Sequence, residues 1–158
     1  MRAKDINILL YNPIWTSKIL HHFISGACES KLGKLKFELI YMGLPFIFDE
    51  VIFEKLINSN KNSSISTLFK SIELKNQLIL MPNKIEEFKK ITNQGLIYLG
   101  NKHKLVISDF IQMDDKIQYN KEQDMMKKQY FKAAYNWGQI IAKEDCKNIF
   151  IKLEIVNI

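Results

Sequence analysis

The chain has 158 residues, 47% hydrophobic and 25% charged, with 23 basic against 17 acidic residues for a net charge of +6. That length and apolar content supply one folded domain with a real core and exclude an extensively disordered chain. The charge is spread evenly, 10 bases minus 7 acids over residues 1–79 and 13 minus 10 over residues 80–158, so there is no basic tail.

Only Arg2 is arginine. Lysine meets phosphate as a point charge, whereas bidentate reading of guanine edges favours arginine, so any DNA contact is expected to be blind to sequence. Two cysteines, Cys28 and Cys146, are too few for a disulfide framework. The start MRAKDINILLYNPIW carries Asp5 and no small-residue cleavage site, which argues against a signal peptide. The uncharged run Leu39 to Phe48 is about half the roughly 20 residues a membrane helix needs, and Gly43-Leu44-Pro45 interrupts it. A reducing cytoplasm is the expected location.

Asn12-Pro13 is the first helix signal: asparagine accepts from free N–H groups of the first turn, and proline suits the position after the cap. Ile14, Trp15, Ile19, Phe23, Ile24 and Ala27 then share a broad face, and Gly26 and Gly33 bracket the end. A segment over 35–43 runs into Pro45. A helix over 46–58 follows, with Phe46, Phe48, Ile52 and Leu56 apolar and Asp49, Glu50, Glu54 and Lys55 polar. After the polar stretch 59–64, Ser64 or Ser66 caps a short helix through Ile72. Pro82 opens another helix, with Ile85, Phe88 and Ile91 three apart and Gly95 placed to end it.

The runs LIYL and KLVIS, around Gly100-Asn101-Lys102-His103, predict a hairpin over 96–108. A polar linker over 111–124 precedes a C-terminal helix marked by Tyr130, Ala134, Trp137 and Ile141, and IFIKLEIVNI reads as a final strand. The whole is one domain over 1–158 with a helical part at 12–94 and a C-terminal helix and strand at 125–158. The fold class is α+β, winged-helix-like, mainly helical with a small antiparallel sheet that both chain ends enter.

Chemistry is sparse. Between Gly26 and Lys34, GACESKLGK places six residues between its glycines and Leu35 after the lysine. A phosphate loop needs four and a hydroxyl, so this is a helix-ending loop and not an ATPase site. His21 and His22 are adjacent and point about 100° apart on a helix, so with Cys28 they form no metal set, and no metal ligand is assigned. Asp49/Glu50 and Glu86/Glu87 read as solvated helix faces, and Asp114/Asp115 falls in the linker. No catalytic residue is assigned. Lysines cluster at 31-34-36, 84-89-90, 102-104 and 127-128-132; Lys102 and Lys104, with Lys31 and Lys34, are the candidates for phosphate contact, the alternative being a solvated lysine surface. The run around Phe46, Phe48 and Phe53 carries more apolar load than a small core needs, so Leu44, Pro45, Phe46 and Phe48 are placed at or beneath a partner surface, or in plain core. Trp15 and Trp137 are the core anchors.

The order of these landmarks resembles the middle component of bacterial ABC-three-component systems, including the small accessory subunit of Lamassu-type anti-phage defence. The features are Asn12-Pro13, the apolar helix reaching Leu44-Pro45, Ser66-Thr67-Leu68, Gly95-Leu96, and the late helix AAYNWGQIIAKE. The resemblance spans about residues 8–155. It implies a non-enzymatic adaptor in complex with an SMC/Rad50-like ABC ATPase and an effector, often a nuclease, with ATP and magnesium on the ATPase. The chain ends IFIKLEIVNI, without the glycine- and arginine-containing tail common in that family. Two other classes stay open: a free-standing winged-helix DNA-binding regulator, and a small hydrolase built around His21, His22 or Cys28.

Overall fold

The computed structural model describes residues 8–155. Its centre is helix α1, Pro13–Cys28, in which 13 of 16 residues are buried. Asn12 caps it as expected, its Oδ1 accepting from the Ile14 N–H at 3.0 Å, with Pro13 in the first turn. A helix buried nearly all round must satisfy its polar side chains locally. Ser17 donates to the Ile14 carbonyl at 2.8 Å, and Ser25 accepts from the Ile117 N–H at 3.1 Å.

After a turn in which Gly33 takes a positive φ of 67°, the chain forms the short strand β1, Leu35–Lys36, and a 3-10 turn, Phe37–Met42. Helix α2 is Gly43–Ile47 and α3 is Glu50–Ile57. The expected single helix over 46–58 therefore breaks at Phe48-Asp49, because Asp49 leaves the helical conformation to cap α3 through the Ile52 N–H at 3.1 Å. Ser64 makes a capping box with Thr67 over α4, Ile65–Leu68, and Ser71 caps the next helix separately.

That next helix, α5, runs without interruption over Ile72–Lys102, about 46 Å at 1.5 Å per residue. It overrides three sequence signals. Pro82 lies inside it instead of opening it, at a cost of about 3 kcal/mol for an interior proline. Gly95 does not end it. A Cβ there would sit 2.9 Å from Leu20 and 3.0 Å from Thr16, so this glycine lets α1 approach. LIYL, expected as a strand, is its last turns: Leu96 and Leu99, three apart, are buried while Ile97 is exposed. A continuous apolar face, Leu74, Leu78, Met81, Ile85, Leu96 and Leu99, holds these signals in one helix.

The hairpin accordingly moves downstream. Strands β2, Leu105–Ile107, and β3, Phe110–Met113, pair antiparallel, with Leu105 opposite Met113 and Ile107 opposite Ile111. β1 adds to the other edge of β3, Leu35 opposite Ile111, giving the order β1-β3-β2. The expected linker over 111–124 thus begins as strand, since Ile111 and Met113 alternate inward with Gln112 outward. Helix α6, Met125–Ile141, is capped by Asp124, and α7, Cys146–Lys152, by Asp145. The expected terminal strand is therefore helical through Lys152. Residues 1–7 and 156–158, where the chain ends were to join the sheet, lie outside the described residues; the third strand is β1.

The protein is mainly helical with a three-stranded antiparallel sheet, an α+β fold. α1 packs on both α5 and α6, and α2 packs against α5 and α6. The α1–α6 contact is made by glycines: Gly26 lies against the Tyr135 carbonyl, and Gly138 against that of Phe23.

Candidate functional site

The stretch Leu44, Pro45, Phe46 is not surface. Leu44 and Phe46 are fully buried and Pro45 is buried in α2. Phe46 stacks on Trp137 with centroids 4.8 Å apart, and Phe69 meets both edge-on. Trp137 Nε1 donates to the Met42 carbonyl at 2.9 Å, which fixes the ring and satisfies its polar end. Phe48 is the one member that reaches partial exposure, among Phe88 and Tyr130. These residues can act only from beneath a partner surface; the charge-free run is core because it closes the α1–α5–α6 junction. Trp15 is likewise buried, against Tyr130 and Phe131.

Asp49, read from sequence as part of a solvated face, is buried, and its carboxylate pairs with Lys84 Nζ at 2.6 Å. Its neighbour Glu50 is exposed as expected.

Exposed apolar side chains lie elsewhere. On the first half of α5, Ile72 is 78% exposed and Ile79 73%, with Leu80 at 52%. Ile72 and Ile79 are seven residues apart and so nearly aligned on a helix, on the side away from Leu74, Leu78 and Met81. Val106 and Ile107 are also exposed on β2.

The four candidate lysines do not converge. Lys31 lines a cleft of roughly 720 Å³ with Lys61, Lys143, Glu144 and Asp145, a mixed-charge lining. Lys34 sits 3.9 Å over the Phe110 ring, near the β2–β3 turn, where Lys36 also approaches. Lys102 and Lys104 are exposed at the other end of the hairpin, where α5 joins β2.

One polar cluster was not legible in the sequence. His21 and His22 diverge as expected, with ring centroids 6.4 Å apart, but His21 packs 4.3 Å from His103, 82 positions away in sequence. His21 Nε2 is 2.6 Å from the Asp115 carbonyl, and His103 Nδ1 is 2.5 Å from Asp115 Oδ2. One ligand atom from each of the three lies within 4.8 Å of the others. Burial is the main reason the His21 imidazole loses its proton more readily than usual. His22 is stacked face-on with Phe131 at 4.1 Å and donates through Nδ1 to the Lys18 carbonyl, and burial pushes its pKa down to about 4. Cys28 is buried and its thiol pKa is raised by that burial, so it has the character of a core residue and not of a nucleophile.

A model of the ABC-three component (ABC-3C) system Middle Component 3 family matches residues 2–156. The chain belongs to that family. Neither the curated proteins nor the solved structures compared with it gave a match. As an ABC-three-component middle component it is one part of a multi-subunit system, and its partners are proteins. The landmarks that carried the resemblance now have physical roles. Asn12-Pro13 starts the central helix, Gly95 admits that helix against α5, and the glycine of AAYNWGQIIAKE admits it against α6. Among the described residues no helix is long and apolar enough to cross a membrane.

Proposed function

We propose that this middle component is a non-catalytic adaptor of a cytoplasmic, defence-associated complex, joining an SMC/Rad50-like ABC ATPase to an effector such as a nuclease. ATP and magnesium belong to the ATPase, and the effector is released or activated when the ATPase engages foreign DNA, as in Lamassu-type defence. The observation that carries this reading is the family match over residues 2–156. The departure of GACESKLGK from a phosphate loop is consistent with it.

On this reading the outward face of α5 docks the ATPase. Ile72 and Ile79 are large apolar side chains left in water on a helix whose other face is buried. Leu44, Pro45 and Phe46 hold α5 from its buried side, since α2 packs against α5, and Phe48 packs on Phe88 further along the same helix.

The test is a tagged purification from the native operon at low salt. Ile72→Asp and Ile79→Asp variants should fold with unchanged circular dichroism and melting temperature yet lose the ATPase. Recovery of the wild-type chain alone would refute the adaptor reading; assembly surviving in both variants would refute the α5 surface.

A second reading rests on topology. A strand between the first helix and the later helices, pairing with the second strand of a hairpin, is the order expected of a winged helix. Lys102 and Lys104 would then contact DNA phosphates from the base of the hairpin. Salt-sensitive DNA binding by the isolated chain, lost on neutralising both, supports it; absence of binding at low salt removes it.

A further inference from the structure

The adaptor reading leaves the histidine cluster unused. His21 comes from the buried middle of α1, His103 caps the C-terminus of α5, and Asp115 follows β3. Three elements, the first 82 residues before the second and the second 12 before the third, thus deliver two imidazoles and a carboxylate to one point, with a ligand atom from each inside 4.8 Å. Each of the two close contacts in the cluster, 2.5 Å and 2.6 Å, joins an imidazole nitrogen to an oxygen of Asp115.

We propose that His21, His103 and Asp115 bind one zinc ion, whose fourth position opens into the cleft between α1 and α5. Zinc takes nitrogen and carboxylate oxygen at about 2.0–2.2 Å in tetrahedral sites, which sets ligand atoms roughly 3.3 Å apart. The cluster needs a contraction of no more than about 1.5 Å to reach that spacing, within reach of side-chain rotation at His103 and Asp115. Two imidazoles select zinc over magnesium or calcium, which prefer all-oxygen cages. On binding, the ion replaces the hydrogen bond between His103 and Asp115, and the neutral His103 imidazole ligates through Nδ1 with its one proton carried on Nε2.

A site with three protein ligands keeps a coordination position for an outside group. Here that position faces a cleft of roughly 340 Å³ lined by His21 and His103 with Ser17, Lys18, Tyr98 and Lys102. The two lysines favour an anion as the fourth ligand, a carboxylate or phosphate oxygen in preference to neutral water. The ion would also tie the end of α5 and the segment after the hairpin to the central helix.

The chain contains only three histidines, which keeps the experiment simple. Untagged full-length protein, stripped with chelator, is titrated with zinc, with magnesium, and with cobalt as a spectroscopic probe. One equivalent of zinc at micromolar affinity or better is expected, with no magnesium binding and with visible cobalt bands of tetrahedral intensity. Asp115 is exposed and His103 only half-buried, so Asp115→Asn and His103→Gln should fold and weaken zinc binding at least tenfold. Phosphate should then perturb the cobalt spectrum of the wild type. Absence of stoichiometric zinc binding by the wild type overturns the site, as does undiminished binding in both variants. A six-coordinate cobalt spectrum overturns the open tetrahedral geometry. These outcomes are independent of whether the ATPase co-purifies.

Discussion

Gly138→Ala isolates the contact on which the fold turns. Gly138 lies within the last turn of α6, where alanine is intrinsically favoured over glycine by up to about 1 kcal/mol. Propensity alone therefore predicts stabilisation. The structure predicts the reverse, because a Cβ at this position would lie 2.0 Å from the Phe23 carbonyl oxygen, 2.9 Å from the Ala27 nitrogen and 3.0 Å from the Phe23 carbonyl carbon. An ordinary carbon–oxygen contact is about 3.4 Å, so α1 and α6 must part by more than about 1 Å, and the obstacles are backbone that cannot rotate away. Separation loosens Phe23, Trp137 and Ile19, all fully buried near this seam. Overpacking costs about 1–3 kcal/mol where side chains can adjust; here the net loss should be about 3 kcal/mol or more. In a chain of this size that is roughly 6–12 °C of melting temperature.

The control is Gly100→Ala, also within a helix but exposed, where the new Cβ meets only Leu105 Cδ1 at an ordinary 3.7 Å. It should be neutral or stabilising by up to about 1 kcal/mol. Urea denaturation followed by circular dichroism at equal slope measures both. A Gly138→Ala midpoint equal to or above wild type would show that the helices do not approach as described.

The buried Asp49–Lys84 pair should be asymmetric. Lys84 keeps 32% of its side-chain surface and can rehydrate alone, whereas Asp49 keeps 3%. Lys84→Met should therefore cost about 3–5 kcal/mol and Asp49→Asn, which retains the capping oxygen, about 1–2 kcal/mol; the opposite ranking in urea melts would refute the burial assignment. In metal-free protein, His22 makes stability depend on acid. Its pKa is about 4 when folded against an ordinary 6.5 in the unfolded chain, so the unfolded chain binds more protons between those values. This contribution is complete above pH 6.5 and is lost as pH falls towards 4, amounting to about 2 kcal/mol at pH 5. His21 acts in the same direction. His22→Phe should flatten the pH 5 to 7.5 difference in urea midpoint; an unchanged difference would assign it to other groups.

The sequence by itself determined the local events. Asn12-Pro13 specifies a helix start whatever surrounds it, because the cap is completed within three residues. Apolar spacing marked α1 and α6 and named both tryptophans as core. The ten-residue charge-free run was too short for a membrane and was legible as core or as partner surface. Its burial was decided only by tertiary structure, since the faces of α1, α5 and α6 that enclose it come from distant parts of the chain.

The errors share one cause. Pro82, Gly95 and LIYL carry local signals that stop or replace a helix, and each costs at most a few kcal/mol. A 31-residue helix with eight buried positions along the central helix and its neighbours outweighs them. Asp49 gave the matching error: its burial depends on Lys84, 35 residues away. The histidine cluster lies furthest from sequence reasoning, since no spacing rule relates positions 21, 103 and 115. They meet because Gly95 allows α5 to lie close on α1, which brings the end of α5 beside the middle of α1. Local capping and periodicity act over a few residues and can be read from the chain, whereas the approach of one helix to another depends on the whole core.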